Sequence, residues 1–99
     1  MVHELKIEPE HYAAIKMGRK SFEVRKNDRD YQIGDILGLN EYADGKYTGR
    51  AVLREIIYIF NNPHYCKDGF VILGVAPIHV LPGFEKEFIR EEGAGDTNV

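Results

Sequence analysis

The stretch GRKSFEVRKNDRDYQIGDIL, residues 18–37, carries the strongest fold signal in the chain. It opens with a glycine that suits the left-handed position after a helix. Its KSFEVRK segment, residues 20–26, alternates as a strand does, and the polar segment NDRDYQIGD, residues 27–35, predicts a loop. The stretch therefore predicts a helix that ends near residue 18, then a strand, a loop, and a further strand that opens at Asp35.

The residues before this stretch predict a strand and a short helix. VHELKI, residues 2–7, alternates between apolar and polar side chains, which indicates a strand. Pro9 suits the first turn of a helix because its missing N–H would have no partner there. Tyr12 and Ile15 give this helix an apolar stripe. About two turns long, it must be held by packing rather than by intrinsic propensity.

Strands dominate the residues after the stretch. DILGLNEY, residues 35–42, predicts the third strand, and Asp44-Gly45 is a pair that two-residue hairpins favour. The return strand covers residues 47–60, and its apolar end, IIYIF, predicts a strand covered on both faces. GFVILGV, residues 69–75, predicts the last long strand, and IHVL, residues 78–81, a shorter one.

Length and composition predict a single domain. Ninety-nine residues suffice for one modest core, and we expect that domain to cover residues 1–83. Residues 84–99 predict a partly disordered C-terminal tail with at most one helical turn. Apolar runs are far shorter than the ~20 residues of a membrane span, and no signal peptide begins the chain. Cys66 has no second cysteine to pair with, which favours a reducing compartment. We therefore expect a cytoplasmic protein that does not bind membranes; the sequence leaves its oligomeric state open, with a monomer favoured.

The inward phase of the strands predicts one core under the helix. Its members are Leu5, Ile7, Phe22, Val24, Leu37, Leu39, Ile57, Ile59, Val71 and Leu73. For the second strand, this phase sends Phe22 and Val24 inward. Glu23 then shares the opposite face with Arg25 and lies near Lys20. Glu23 is either the acid of a cross-strand ion pair or a carboxylate that orients a ligand or acts as a base.

Positive charge is concentrated between Lys16 and Arg29. This segment holds six basic and two acidic residues, in a chain whose net charge is −3. Such asymmetry marks either a binding surface or a solvated face, whose ion pairs contribute only ~0–1 kcal/mol. Lysine and arginine neutralise phosphates, and aromatic rings stack on unpaired bases. The tyrosines near polar segments either stack on bases or cap a barrel, and they are Tyr31, Tyr42, Tyr47 and Tyr65.

Four segments together carry a resemblance to a known family. They are HELKI, the stretch from residue 18 to 37, the EY…G.YTGR hairpin and KDGFVILG. The chain resembles the ASCH domains of the PUA-like superfamily, and more closely a small bacterial and phage ASCH-like family of unknown function. The resemblance covers about residues 2–75. It implies an α+β, strand-dominated fold: a small mixed β-barrel with one early helix packed at its end and a cleft beside the Lys20 strand.

The resemblance also implies a function. PUA-like domains commonly bind RNA, so the resemblance implies a module that binds single-stranded RNA or a nucleotide in a basic cleft at the helix end and second strand. The expected nucleic-acid-binding residues are Arg19, Lys20, Glu23, Arg25, Lys26, Asn27 and Arg29. Fold alone does not decide function, and an enzymatic alternative stays open.

The alternative is a small hydrolase that acts on a modified nucleoside. One ASCH branch cleaves the amide of acylated cytidines with a lysine, a threonine three residues later and a glutamate. Lys20 matches the lysine, but Glu23 stands at the threonine position, and the segment NNPHYCKDG contains no glutamate. Lys20 and Glu23 would then form a reworked catalytic pair. The missing threonine favours a binding module over an enzyme.

Metal and cofactor sites are not indicated by the sequence. His-x-Cys at His64 and Cys66 is not a recurring zinc spacing, even with His3, His11 or His79 as further ligands. Cys66 has no evident base to activate it as a nucleophile. The glycine patterns of phosphate-binding loops are absent from the sequence. We therefore expect no metal and no cofactor.

Overall fold

The computed structural model describes residues 1–78, which fold into five strands and one helix. The elements are β1 (Val2–Ile7), α1 (Pro9–Lys16), β2 (Phe22–Lys26), β3 (Ile36–Ala43), β4 (Lys46–Phe60) and β5 (Phe70–Ala76). Their order is the predicted one, and the bounds agree within two residues. The domain end predicted at residue 83, the tail over residues 84–99 and most of the short strand IHVL lie outside the described residues.

The five strands form one mixed sheet in the order β1-β3-β4-β5-β2. β1 runs parallel to β3, and every other neighbouring pair is antiparallel. The sheet curls into a half-barrel, so the predicted strand-dominated, barrel-like fold with one early helix is confirmed. β1 and β2 are its two edge strands, and we call the gap between them the seam.

Helix α1 packs against β3 and β4 through its apolar stripe. Tyr12 and Ile15 are buried, as predicted, and Pro9 occupies the first turn. Arg54 of β4 donates a hydrogen bond to the carbonyl of Ile15 at 3.2 Å, which ties the end of the helix to the sheet. No helix within residues 1–78 is long and apolar enough to cross a membrane.

The predicted hairpin between β3 and β4 is confirmed. Asp44 and Gly45 have φ angles of 53° and 78°, the positive values that a tight hairpin turn of type I′ requires at both central residues. The flanking residues Ala43 and Lys46 pair across the hairpin.

The core lies between α1 and the concave face of the half-barrel. Its buried members are Leu5, Ile7, Tyr12, Ile15, Tyr31, Leu37, Leu39, Val52, Ile56, Val71, Leu73 and Val75. The predictions for β1, β3 and β5 are confirmed, because Leu5, Ile7, Leu37, Leu39, Val71 and Leu73 are all members. Ile59 packs against the margin of this cluster.

The predicted phase of β2 is wrong. Phe22 and Val24 are 45% and 51% exposed, whereas Glu23 is only 2% exposed. The register explains this result, because Glu23 pairs with the core residue Leu73, and residues directly opposite in a sheet share a face. The carboxylate tolerates the interior because Lys20 and Arg25 contact it there.

At the end of β4 the predicted phase is wrong for Ile57, whereas Ile59 packs against the core as predicted. The register of β4 against β5 shifts between Ile56 and Tyr58. Such a bulge adds one residue to a strand and reverses which side chains face inward. Ile56, just before the shift, is fully buried, and Ile57, a predicted core residue, is 52% exposed; beyond the shift, Ile59 faces the core again. Tyr58 is also exposed, so this end of β4 is not covered on both faces.

Candidate nucleic-acid interface at the seam

The turn after α1 delivers Lys20 to the seam. Gly18 has a φ of 80°. This is the left-handed region, which glycine adopts without a steric penalty and in which many helices end. The backbone N–H of Lys20 donates to the carbonyl of Ala14 at 3.1 Å. This hydrogen bond ties the turn to the last part of the helix and fixes Lys20 at the entrance to β2.

The buried Glu23 carboxylate lies between two cations. Lys20 Nζ donates to Glu23 Oε2 at 2.7 Å, and Arg25 donates to Oε1 through Nε at 3.0 Å and through Nη2 at 2.7 Å. All three side chains are mostly shielded from solvent. A buried carboxylate needs such partners, because an unpaired buried charge is strongly destabilising. The predicted proximity of Glu23 to Lys20 and Arg25 is confirmed, but on the inner face of β2.

Arg25 also links the two edge strands. Its Nη2 donates to the carbonyl oxygen of Lys6 on β1 at 2.8 Å. This is a charge-assisted hydrogen bond, which is stronger than one between neutral groups. It bridges the seam from a side chain of β2 to the backbone of β1.

Two cavities flank the Arg25 bridge, each with a volume of about 360 Å³. Lys6 and Arg25 line both. We call one the helix-side cavity, and its further lining includes His11, Lys20, Phe22 and Glu23. We call the other the loop-side cavity, and its further lining includes Glu4, Asn40, Lys26, Arg29, Tyr31 and Tyr47. Both volumes fall in the range of small-molecule sites.

Most of the predicted binding residues border these cavities. Lys20, Glu23 and Arg25 line the helix-side cavity, and Lys26 and Arg29 join Arg25 in the loop-side cavity. The other two predicted residues, Arg19 and Asn27, are exposed and line neither of them. The seam therefore gathers five of the seven side chains from separate parts of the basic segment.

The sequence did not indicate three further residues of the seam, which are Glu4, Lys6 and Asn40. In the parallel register of β1 and β3, Glu4 lies opposite Gly38 and Lys6 lies opposite Asn40. Asn40 Nδ2 donates to Glu4 Oε2 at 2.6 Å. A Cβ atom at position 38 would come within 2.8 Å of Glu4 Oε1, so Gly38 leaves room for that carboxylate. The alternation of β1 puts Glu4 and Lys6 on one face. The pairing of β1 with β3, however, cannot be predicted from the residues of either strand alone.

The tyrosines divide between the cavity and the rest of the surface. Tyr47 is 40% exposed at the loop-side cavity and packs edge-to-face on Tyr42 at 5.0 Å. Lys6 Nζ lies 4.3 Å from the ring centre of Tyr42, a cation–π distance. Tyr31 lines the same cavity but is largely buried, and this burial raises its pKa. Tyr65 is exposed and lines neither cavity, so it is not part of this site.

Asp35 anchors the loop that carries Lys26–Tyr31 beside the cavity. Its carboxylate accepts a hydrogen bond from the backbone N–H of Gln32 at 3.0 Å and lies 2.8 Å from His3 Nε2 on β1. The terminal amine of Met1 donates to it at 3.2 Å. The hydrogen bond with His3 is the main cause of a lowered Asp35 pKa, with further contributions from Gln32 and the amine. The loop is thereby tied to β1.

Glu41 forms a second ionic cluster, where β3 meets the β4 hairpin arm. It accepts hydrogen bonds from Thr48 at 2.7 Å and from Arg50 Nε at 2.8 Å. Burial alone would raise the Glu41 pKa, but the hydrogen bonds from Arg50 and Thr48 and the Arg50 charge together lower it. The Arg50 guanidinium also lies 5.3 Å from the ring centre of Tyr12. This cluster fastens α1 to the sheet and is structural.

The histidines and the cysteine do not gather into a metal centre in the described part of the chain. Within residues 1–78, no group of three or more His, Cys, Asp or Glu side chains is arranged to hold a metal ion. Cys66 Sγ contacts the carbonyl of Phe60 at 3.6 Å. His79, the remaining candidate ligand, lies outside the described residues.

Comparison with known proteins identifies the family. The family described as "Domain of unknown function (DUF3850)" matches residues 2–75, a range that includes the helix and all but the last residue of the five strands. The chain is also 33% identical over 81 residues to the "Uncharacterized 12.9 kDa protein in GpA 3'region" of Escherichia phage P2, covering 82% of this chain and 73% of the phage protein. The chain thus belongs to the DUF3850 family.

Proposed function

We propose that this protein binds single-stranded RNA or a nucleotide along the seam between β1 and β2. The observation that carries the proposal is the pair of cavities that meet at Arg25, each bordered by part of the basic segment. The proposal includes the finer fold assignment, an ASCH-type domain of the PUA-like superfamily. The half-barrel and the cleft beside the Lys20 strand support that assignment.

The charges at the seam favour an anionic ligand. Glu23 offsets one of the two charges of Lys20 and Arg25, so this cluster keeps a net positive charge. Lys26 and Arg29 are exposed at the loop-side cavity, and the acid nearest to Arg29, Asp28, is 4.0 Å away and exposed itself. Such cations neutralise phosphates and release counterions. We therefore assign the phosphate contacts to Lys26 and Arg29.

The shape of the seam favours unpaired nucleotides over a duplex. Each cavity suits a ligand of about nucleotide size, and an exposed ring borders each one, Phe22 on the helix side and Tyr47 on the loop side. Aromatic rings stack on bases that are not already stacked in a helix. In a duplex the faces of the bases are stacked on one another, so Phe22 and Tyr47 would have no base face to stack on.

A hydrolase is the second candidate, favoured by one observation. The Glu23 carboxylate lies 2.7 Å from Lys20 Nζ inside a cavity, and paired acid and amine groups perform proton transfer in enzymes. Both Glu23 oxygens, however, already accept hydrogen bonds from Lys20 or Arg25. The carboxylate is thus engaged in ion pairs instead of being free to take a proton from a substrate, so binding is the better-supported function.

Fluorescence anisotropy with a labelled RNA of about eight nucleotides tests the proposal. Affinity should fall between about 50 and 200 mM salt, with a slope of roughly 0.7 per phosphate contact. The double variant Lys26→Ala/Arg29→Ala should lower both the affinity and the slope. The control Lys46→Ala/Lys67→Ala removes two exposed charges that line neither cavity. Equal losses in both double variants, or no salt-dependent binding at all, would contradict the proposal.

A further inference from the structure

Asn40, which borders the loop-side cavity, has a buried hydrogen-bond acceptor without a partner among the described residues. Asn40 lines this cavity and is 4% exposed. Its Oδ1 accepts no hydrogen bond from the residues that the structure describes. Buried polar atoms without partners are rare in folded proteins, so each one calls for an explanation. A ligand that supplies an N–H donor is one such explanation, and the surrounding groups support it.

The orientation of the Asn40 amide follows from its neighbours. Nδ2 donates to Glu4 Oε2 at 2.6 Å and lies 3.3 Å from the carbonyl of Gly38. Both neighbours are acceptors, and an ionised carboxylate has no proton to donate. The donor end of the amide must therefore face them, which leaves Oδ1 as the free end. Beside it, Glu4 is exposed and its carboxylate has lone pairs to spare.

The loop-side cavity therefore favours a ligand that donates hydrogen bonds at one end and carries a net negative charge. Glu4 and Asn40 offer acceptors, but the complete lining carries four cations and only two acids. The excess of positive charge disfavours a free cation such as a polyamine. A nucleotide meets both requirements, because its base carries N–H donors and its phosphate carries the negative charge.

Among the four common bases, guanine best matches the acceptors of Glu4 and Asn40. Its Watson–Crick edge presents two adjacent donors, N1–H and the 2-amino group, which a carboxylate can accept side by side. Adenine and cytosine place an acceptor nitrogen beside their amino group, and uracil places its single N–H between two carbonyls. These acceptors would face the lone pairs of Glu4 and Asn40 and be repelled.

We infer that the loop-side cavity is a guanine-selective base subsite. Glu4 and Asn40 Oδ1 accept from the donor edge of guanine, Tyr47 borders the base, and Lys26 and Arg29 hold the phosphate. Oδ1 is shielded from solvent, so a donor reaches it once the Glu4 side chain, which is exposed but accepts a hydrogen bond from Asn40 Nδ2, turns toward the base. The inference rests on the proposed function and adds a base preference to it.

Titration of the full chain with the four nucleoside monophosphates, followed by NMR chemical shifts, tests this subsite. Guanosine monophosphate should bind about tenfold more tightly than adenosine monophosphate, the usual scale for one good base contact. Inosine monophosphate, which lacks the 2-amino group, should bind with intermediate affinity. Glu4→Gln should abolish the preference, because it weakens the contact with the donor edge of guanine and relieves the repulsion of adenine, so that the two monophosphates bind with similar affinity. The control Glu8→Gln removes an exposed carboxylate of the helix-side cavity and should keep the preference.

The outcomes separate this inference from the proposed function. Equal binding of all four nucleotides, or a guanine preference that survives Glu4→Gln, overturns the base subsite and leaves phosphate binding at the seam intact. No binding of any nucleotide or RNA overturns both. Because Asn40 is buried and its replacement risks the fold, the exposed Glu4 carries the test. An unchanged thermal midpoint for Glu4→Gln confirms that the variant is folded.

Discussion

Arg25 on β2 donates a hydrogen bond to the carbonyl oxygen of Lys6 on β1 at 2.8 Å. The same guanidinium holds the buried carboxylate of Glu23 through two further hydrogen bonds. One side chain thus bridges the two edge strands and neutralises a charge inside the half-barrel. It also lies between the two cavities of the seam. Because Glu23 and the Lys6 carbonyl already engage this guanidinium, most of the positive charge available to a ligand comes from the neighbouring cations.

Replacing Arg25 by alanine should destabilise the fold. Glu23 would lose two of its three hydrogen bonds and stay buried, which we expect to lower the free energy of unfolding by about 1–3 kcal/mol. Urea denaturation measures this change. Lys26→Ala removes the same charge from the next, exposed residue, and it should cost less than about 0.5 kcal/mol. Equal costs for the two variants would show that Arg25 does not brace the seam.

Two neighbouring isoleucines of β4 test the bulge. Ile56→Ala empties a fully buried site and should lower the free energy of unfolding by about 2–5 kcal/mol. Ile57→Ala alters a side chain that is half exposed, and we expect less than about 1 kcal/mol. The chemical change is the same in both, so the difference reports on burial alone. A larger loss at Ile57 would place the bulge elsewhere.

Features set by local chemistry were predictable from the sequence. Pro9 and Gly18 bounded the helix because their backbone preferences act within one turn of chain. Asp44-Gly45 fixed the hairpin for the same reason, since both residues accept a positive φ. The alternation of β1 also placed its buried residues correctly.

Features set by distant pairing were not predictable. Glu23 faces inward because β2 joins the far edge of the sheet, where Lys20 and Arg25 surround the carboxylate, whereas polarity alone favoured the opposite phase. The contact between Glu4 and Asn40 depends on a parallel pairing across 36 residues. No local signal encodes that pairing, so the part of the site that β1 and β3 contribute could not be predicted from the sequence.

Stability should fall in acid partly through Asp35. Its pKa in the folded state is lowered, chiefly by the hydrogen bond with His3. Its contribution is therefore complete above the unfolded value of about 4 and is lost as the pH falls through the lower folded value. Unfolding midpoints in urea, measured from about pH 7 to about pH 3, should drop less steeply for Asp35→Asn than for the native chain. Asp28→Asn alters an exposed carboxylate and should reproduce the native profile; an unchanged slope for Asp35→Asn would refute this assignment.

We expect no amide hydrolysis of acylated cytidines at the rate of the enzymatic ASCH branch. By the resemblance to that branch, Glu23 takes the position of its threonine, and both Glu23 oxygens already accept hydrogen bonds from Lys20 and Arg25. A turnover assay with the purified protein measures this directly. Robust product formation that Lys20→Ala abolishes would favour the hydrolase over the binding module.

The most direct test of ligand binding at the seam is a chemical-shift map of the full chain with short single-stranded RNA in low salt. Binding at the seam predicts perturbed amides on β1, on β2 and in the loop over residues 26–31, which weaken at higher salt as phosphate contacts are screened. The loop over residues 61–66, which lines neither cavity, should be silent. Two results would contradict binding at the seam: no perturbation at millimolar RNA, or perturbations confined to residues outside β1, β2 and the loop over residues 26–31. Either result would leave the basic segment as a solvated surface.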